Sequence, residues 1–325
     1  MIKIFKTFEI CDDLWEEVVE GFNESFEGYD ITIETLKNGY YISNQLGYAY
    51  HAIDFDDETG EIRGFNSYTP SFYKNGLNVF VSGTTFVRKK YRKDIFIFGD
   101  LLTALRKNAK ELGFQIEIGV PNHNSREYAK KFLKTIYIAD LDYYILPIRI
   151  SRCLNKNKLS FLDSFTKGLS ILHIYFQNTL SFFVNFKAKT AKYSLIDDDV
   201  FYEKRFRNKY YSKYQEGMFS AYYRLYKEDN ALVAYIMDAR EKQIITSRAL
   251  SRTVKYIIKN DNPDAIMYVG TLRIAQFSLF KVPKKLIPKP LPLTYYVLDK
   301  KYKEKYKDMS DMNNWNFSLM NFDVR

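Results

Sequence analysis

The sequence predicts an α+β protein (α/β-like in its alternation) made of two related folds in tandem. Each is expected to be a central mixed, mostly antiparallel sheet flanked by helices. Three observations carry that reading. At 325 residues the chain is long enough for two domains that each bury a core. Strand-like and helix-like patterns alternate in the first half as β-α-β-β-β-α-β-α-β, which is neither a bundle nor a barrel of repeats. The second half runs β-β-α-β-α-β-β and echoes the later part of the first in element order, without visible sequence identity. The expected division is 1–150, a helical linker over 151–199, and 200–325.

The opening "IKIFKTFE" reads as a strand. "DDLWEEVVEGFNESF" starts on an Asp cap and sets Leu14, Val18, Val19, Phe22 and Phe26 on one helical stripe. Between Tyr48 and Val87, three β-like runs are broken at Asp57–Gly60 and Lys74–Gly76, which predicts an antiparallel meander. A helix over Phe96–Leu112, the strand "FQIEIGV", the turn "PNHNS" and a helix over Arg126–Lys134 follow. Two more strand-like stretches reach about Ile150.

Gly168–Phe186 contains no charged residue and is flanked by Lys167 and Lys187. Its 19 residues approach spanning length. His173, Gln177, Asn178, Thr179, Ser181 and Asn185 make it too polar for a span, so a packing helix between domains is the preferred reading. Membrane contact through 168–186 is the less favoured one. Beyond Asp197 come a hairpin turning at Glu228–Asn230, a helix over "SRALSRTVKYIIKN" and the strand "DAIMYVG". A helix "TLRIAQFSLF" on a Thr cap and the closing strands "LTYYVLD" and "WNFSLMNFDVR" complete the chain. The run "KVPKKLIPKP" reads as a rigid basic surface loop.

Composition narrows the class. Apolar residues make up 46% and charged residues 27%, the profile of a folded chain rather than a disordered one. Aromatics at 17% suit β-sheet faces, with a base-stacking surface as the alternative. Cys11 and Cys153 stand far apart and imply a reducing compartment without a disulfide framework. The N-terminus has no apolar leader, which makes a cytoplasmic location the expectation. His51, His123 and His173 are scattered, so neither a metal site nor a Ser-His-Asp triad is expected.

Charge is uneven. Residues 1–150 carry 18 Lys and Arg against 22 Asp and Glu, whereas residues 151–325 carry 31 against 17. A balance of +14 in the second half suits an anionic partner, or else a merely solvated lysine surface. No DNA-binding motif accompanies it, and DNA is not an expected partner.

Residues 78–133 hold the strand "NVFVSGTTFV", the basic turn "RKKYRKD", a long helix, the strand "QIEIGV" and an Asn-containing turn. This series resembles the core of the GNAT acyltransferases. "VPNHNSREYAKKFL" is similar to a turn of tandem, two-domain GNAT-like proteins found near bacterial surface-polysaccharide genes. The terminal "NWNFSLMNFDVR" resembles their closing Trp and Asp strand. The resemblance covers most of 1–150 well and 200–325 loosely. It implies acetyl-CoA or another acyl-CoA as cofactor, no metal, and direct attack of an acceptor amine (or hydroxyl) on the thioester. The acceptor it implies is a sugar or other small metabolite, anionic or sugar-linked.

In the family the turn before the long helix holds the coenzyme A pyrophosphate on backbone N–H groups. The resemblance therefore assigns cofactor binding to Val87, Arg88, Arg92, Lys93, Asp94, Ile95 and Phe96, and to Asn122 and Ser125 of the second turn. The family turn reads Arg/Gln-x-x-Gly-x-Gly/Ala. Here Arg92-Lys93-Asp94-Ile95-Phe96-Ile97 puts isoleucine at both glycine positions and adds a carboxylate. Arg88, Lys89, Lys90, Arg92 and Lys93 are the cations that can compensate. Asn122 and Ser125 read equally well as helix caps. Tyr128 and Tyr137 are candidate thiolate acids among 28 tyrosines, and Glu117 is a candidate base on its strand. Two alternatives stand beside the enzyme: a non-catalytic binding or scaffold protein with a degenerate turn, and a tRNA-dependent aminoacyl transferase.

Overall fold

The computed structural model describes the backbone of all residues except 27–29, 208–209, 288 and 323–325, and omits the side chains of 40, 123–125, 128 and 129. The first part of the chain forms β1 (Ile2–Lys6), α1 (Asp12–Ser25), α2 (Ile33–Leu36), β2 (Tyr50–Phe55), β3 (Ile62–Phe72) and β4 (Asn78–Val87). Then come α3 (Phe96–Glu111), β5 (Ile116–Gly119), α4 (His123–Phe132), β6 (Ile136–Asp140), β7 (Tyr143–Pro147), α5 (Ile150–Cys153), α6 (Asp163–Phe183) and α7 (Asp199–Arg205). The remainder is β8 (Ser212–Glu216), β9 (Phe219–Glu228), β10 (Ala231–Glu241), β11 (Ile244–Ile245), α8 (Ser247–Asn260), β12 (Ala265–Val269), β13 (Phe280–Lys281) and β14 (Pro292–Val297).

Two compact units result, and neither is continuous in sequence. The first is Met1–Asp140, Tyr193–Asn208 and Leu291–Trp315; the second is Leu141–Lys192, Lys209–Pro290 and Asn316–Arg325. The expected spans 1–150, 151–199 and 200–325 differ from this in physical detail. Strand β7 and helix α6 build the second unit, and β14 returns to the first.

The first unit's sheet runs β1-β2-β3-β4-β5-β14-β6, antiparallel throughout except for the parallel pair β4 and β5. Alternation along the strands gives it two buried faces. On one, Trp15, Val18 and Phe22 of α1 meet Ile53, Phe65 and Phe86. On the other, Ile97, Leu101 and Leu105 of α3 cover Tyr68 and Phe80. Each such side chain contributes about 1.5–3 kcal/mol by leaving water. Helix α1 begins after Cys11, with Asp12 and Asp13 in its first turn, where carboxylates suit the helix dipole. Gly21 lets α1 approach the sheet, since a Cβ there would come within 2.6 Å of the Phe86 ring.

The second unit's sheet runs β13-β7-β12-β10-β9-β8, with β11 on the end of β10. Strands β10 and β12 are parallel, and α8 covers them with Leu250, Val254 and Ile257. Thr246 caps α8, its hydroxyl accepting from the Ala249 N–H at 3.0 Å. The helix expected over "TLRIAQFSLF" does not form; the segment is irregular until β13. Thr271 spends its hydroxyl on the Phe317 N–H at 2.8 Å instead of on a helix, and its own N–H on the Phe317 carbonyl. The expected closing strand is reduced to single bridges at Trp315 and Ser318, and its last three residues, 323–325, fall outside the described set.

Candidate functional site

In the first unit β4 and β5 pair only over Val79–Val81 and Ile116–Ile118. Strand β4 then continues to Val87, while β5 ends at Gly119, so the sheet splits between them. At that point β4 carries a bulge: the register passes from Tyr68 opposite Ser82 to Asn66 opposite Thr85, leaving Gly83 and Thr84 to face Ser67 alone. Gly83 is exposed although its strand lies mid-sheet. A side chain there would put its Cβ 2.9 Å from the Ser67 hydroxyl. Across the split, Gly119 offers its carbonyl to the Thr294 hydroxyl of β14 at 3.0 Å.

Polar groups line β3 beside this opening. Thr85 donates to the Asn66 side-chain oxygen at 2.8 Å. Asn66 Nδ2 and the Tyr68 hydroxyl are buried with no hydrogen-bond partner among the described residues. Burial, followed by the nearby Glu117 charge, pushes the Tyr68 phenol well above its ordinary value.

The basic turn lies between β4 and α3, and two of its five cations, Arg88 and Lys90, are held by carboxylates. Arg88 is buried and its guanidinium binds the Glu20 carboxylate at 2.7 Å and the Glu17 carbonyl at 3.1 Å. Lys90 pairs with Glu61, which Tyr91 also contacts. The Lys89 N–H donates to Glu24 at 2.9 Å. Arg92 differs: among the described residues its guanidinium meets main-chain carbonyls, Val87 at 3.0 Å and Ser25 at 3.5 Å, and it is exposed with Lys93. Asp94 caps the start of α3 by accepting from the Phe96 N–H at 3.0 Å. Ile95 and Phe96 are 61% and 68% exposed, so the isoleucine at the first glycine position points to solvent rather than into the unit. Ile97, at the second, is core.

Glu117 is not an open carboxylate. It is buried under α3 and accepts from Arg106 Nε at 2.5 Å. Tyr137 sits on β6, opposite Thr294, which also pairs with Gly119. One intervening strand thus separates Tyr137 from the split, about 10 Å by strand spacing. Its phenol is raised by burial and by Asp140, and the Arg126 guanidinium lies 5.0 Å from its ring. Asn122 precedes α4 and its carbonyl accepts from the Arg126 N–H at 3.0 Å, as a residue at a helix start does. The side chains of Ser125 and Tyr128 lie outside the described residues.

Sequence reasoning missed Gly83, Thr84, Asn66 and Thr294. A glycine inside the strand pattern "VFVSGTTFV" is the signal for a bulge. No local signal brings Thr294 to Gly119.

The second unit repeats the arrangement and fills it. Strands β10 and β12 pair over Val233–Tyr235 and Ala265–Met267, and β10 is bulged between Ile236 and Asp238. Beyond that point the chain's own 317–319 takes the place of β10 beside β12. The Leu319 N–H donates to the Val269 carbonyl at 3.2 Å and the Thr271 N–H to the Phe317 carbonyl at 2.8 Å. The Gly270 N–H points the other way, to Asp142 beside β7. Phe317, Ser318 and Leu319 are buried there. In the first unit no isolated β-bridge among the described residues reaches β4 or β5 at the split.

No family model matches the chain, and no curated protein matches it in sequence. Solved structures share its fold. A GCN5-related N-acetyltransferase from Kribbella flavida aligns with a TM-score of 0.52 at 9% identity, covering 92% of this chain and 71% of that one. A GCN5-related N-acetyltransferase from Anabaena variabilis aligns at 0.51 and 10% identity, covering 91% and 73%. A protein from Enterococcus faecalis, described as a probable N-acyltransferase, aligns at 0.50 and 11% identity over 94% and 75%.

Proposed function

From a chain that carries the fold of the GCN5-related N-acetyltransferases, we propose an acyl-CoA-dependent acyltransferase whose cofactor site is the split of the first unit. The acceptor in this reading is an amine, or a hydroxyl, of a sugar or other small metabolite. The observation that carries it is the contrast between the two splits: one is open at an exposed Gly83, and the other is filled by residues 317–319.

The first unit's residues fit coenzyme A. A Cβ at Gly83 would press on the Ser67 hydroxyl of β3, so the bulge is built for a glycine, and β4 beyond Val81 has no β5 partner. When bound, the cofactor supplies an activated acyl carbonyl. Main-chain N–H groups of the bulge supply fixed donors for negative charge that grows on the acyl oxygen. Arg92 and Lys93, exposed at the turn, supply positive charge for phosphate. Tyr137, held protonated at neutral pH, can give a proton. Glu117 is left to hold Arg106.

The second unit's filled split favours a supporting role for that unit, so the scaffold reading is retained for it alone. Calorimetric titration of the full chain with acetyl-CoA, followed by thiol release over a panel of amines and amino sugars, tests the proposal. One saturable site that Gly83→Val removes is the expected result. No heat and no thiol release would sink it.

A further inference from the structure

Helix α6 is turned inside out relative to an ordinary packing helix. The residues it buries are Ser170, Ile174, Asn178 and Ser181, mostly small or polar. Ser170 donates to the Pro147 carbonyl at 2.7 Å, and the Arg248 guanidinium reaches the Ser181 carbonyl at 2.8 Å, so this polar face is bound to its own unit. The opposite face carries Phe165, Leu169, Leu172, Phe176, Leu180 and Phe183 at three- and four-residue steps, and every one is exposed. Leu172 is 68% exposed and Phe183 is 83% exposed. Phe277 and Phe280, 63% and 52% exposed, extend the patch at His173, whose Nε2 is 2.8 Å from the Phe277 carbonyl.

The charge around this stripe is mostly positive, although Asp163 opens the helix and Glu216 and Glu241 lie nearby. Residues 164–196, 33 in all, contain four lysines and no Asp or Glu. Lys167 lies near the start of the stripe, and Lys187 and Lys189 follow its end. From α8, Lys255 stands 4.4 Å from the Tyr175 ring and adds a cation to the flank, whereas Arg252, 5.5 Å from the Phe182 ring, is paired with Glu216 at 3.7 Å. Lys281 is occupied by Asp142 and adds little. No helix among the described residues is long and apolar enough to cross a membrane.

We propose that the exposed stripe of α6 lies on an anionic bilayer surface, with its phenylalanine and leucine side chains at the acyl boundary and its lysines on headgroup phosphates. A contiguous apolar stripe left in water marks a docking surface, and a rim in which cations outnumber acids selects a negative one. A second copy of the chain would set lysine rim against lysine rim, which charge disfavours. The surface itself does not depend on the acyltransferase reading.

Flotation of the full chain with phosphatidylcholine vesicles, with and without phosphatidylglycerol, tests it. The chain should float only with the phosphatidylglycerol vesicles, and the bound fraction should fall as salt rises. A variant with Leu172→Asp, Phe176→Asp and Phe183→Asp should stay unbound while keeping its circular dichroism. A variant with Lys167→Gln, Lys187→Gln and Lys189→Gln should partition about a hundredfold more weakly, at about fivefold per lysine charge removed. Equal flotation with both vesicle types would overturn the role of charge. Failure to float, or a dimer in light scattering that the aspartate variant dissolves without any vesicle binding, would overturn the proposal.

Discussion

Arg106 Nε donates to Glu117 Oε2 at 2.5 Å, and this pair, rather than a free carboxylate, is what β5 presents beneath α3. The same guanidinium bonds the Leu133 carbonyl at 2.8 Å and lies 3.7 Å from the centre of the Tyr296 ring. A strand carboxylate read from sequence as a candidate base is therefore one half of a buried ion pair. Its placement ties α3 to β5 and to β14.

Glu117→Gln should consequently act on stability first. It leaves the Arg106 charge unpaired in a buried site, which costs about 3–5 kcal/mol. Urea unfolding should show a lower midpoint with an unchanged slope. Replacing both partners, as Arg106→Met with Glu117→Leu, should recover most of the loss. A Glu117→Gln protein of native stability with abolished turnover would return Glu117 to the chemistry.

Arg92 and Arg88 stand four residues apart and should separate binding from folding. Among the described residues Arg92 bonds carbonyls at the surface, whereas Arg88 is buried against Glu20. Arg92→Ala should weaken acetyl-CoA binding by about 1.5–3 kcal/mol, the range for hydrogen bonds to a charged group, with little change in melting. Arg88→Ala should lower the melting temperature. Equal loss of binding and stability in the Arg92 variant would remove it from the cofactor site.

Gly83 and Gly270 offer a second such pair. Gly83→Val puts a branched side chain at the bulge beside the first split and must displace the Ser67 hydroxyl, so acetyl-CoA binding should vanish while circular dichroism shows a folded protein. Gly270 has φ of +139°, and a Cβ there would meet the Phe317 carbonyl at 2.4 Å. Gly270→Ala should destabilise the second unit and leave cofactor binding by the first intact, read by titration below the unfolding temperature. Binding that survives Gly83→Val would move the cofactor elsewhere.

Much of this was legible in the sequence because it is local. The meander from β2 to β4, the long helix α3 and the hairpin of β9 and β10 follow from two-residue and helical periods broken by turn residues. The site was legible only by half. The basic turn can be read from "RKKYRKD", but Glu20, Glu24 and Glu61, which occupy Arg88, Lys90 and the Lys89 N–H, lie far away in sequence. Strand β14 reaches β5 from the far end of the chain, so no short-range pattern could place Thr294 beside Gly119. Thr271 failed as a helix cap for the same reason: Phe317, 46 residues on, competes for its hydroxyl.

His51 should set the acid limit of the first unit. It is fully buried among Trp15, Tyr41 and Phe65, with Nε2 2.9 Å from the Thr7 hydroxyl and Nδ1 without a hydrogen-bond partner among the described residues. Burial lowers its imidazole from 6.5 to about 3. The folded state thus refuses a proton that the unfolded chain accepts near pH 6.5. Stability from this group is complete above that pH and drains away as pH falls toward 3, because the unfolded chain then binds more protons. The total amounts to several kcal/mol, at about 1.4 kcal/mol per pH unit. Urea midpoints should fall from pH 7 to pH 4 in the native chain. In His51→Phe, which keeps a ring against Trp15, that fall should be shallower, and an identical slope in both proteins would show that His51 titrates freely.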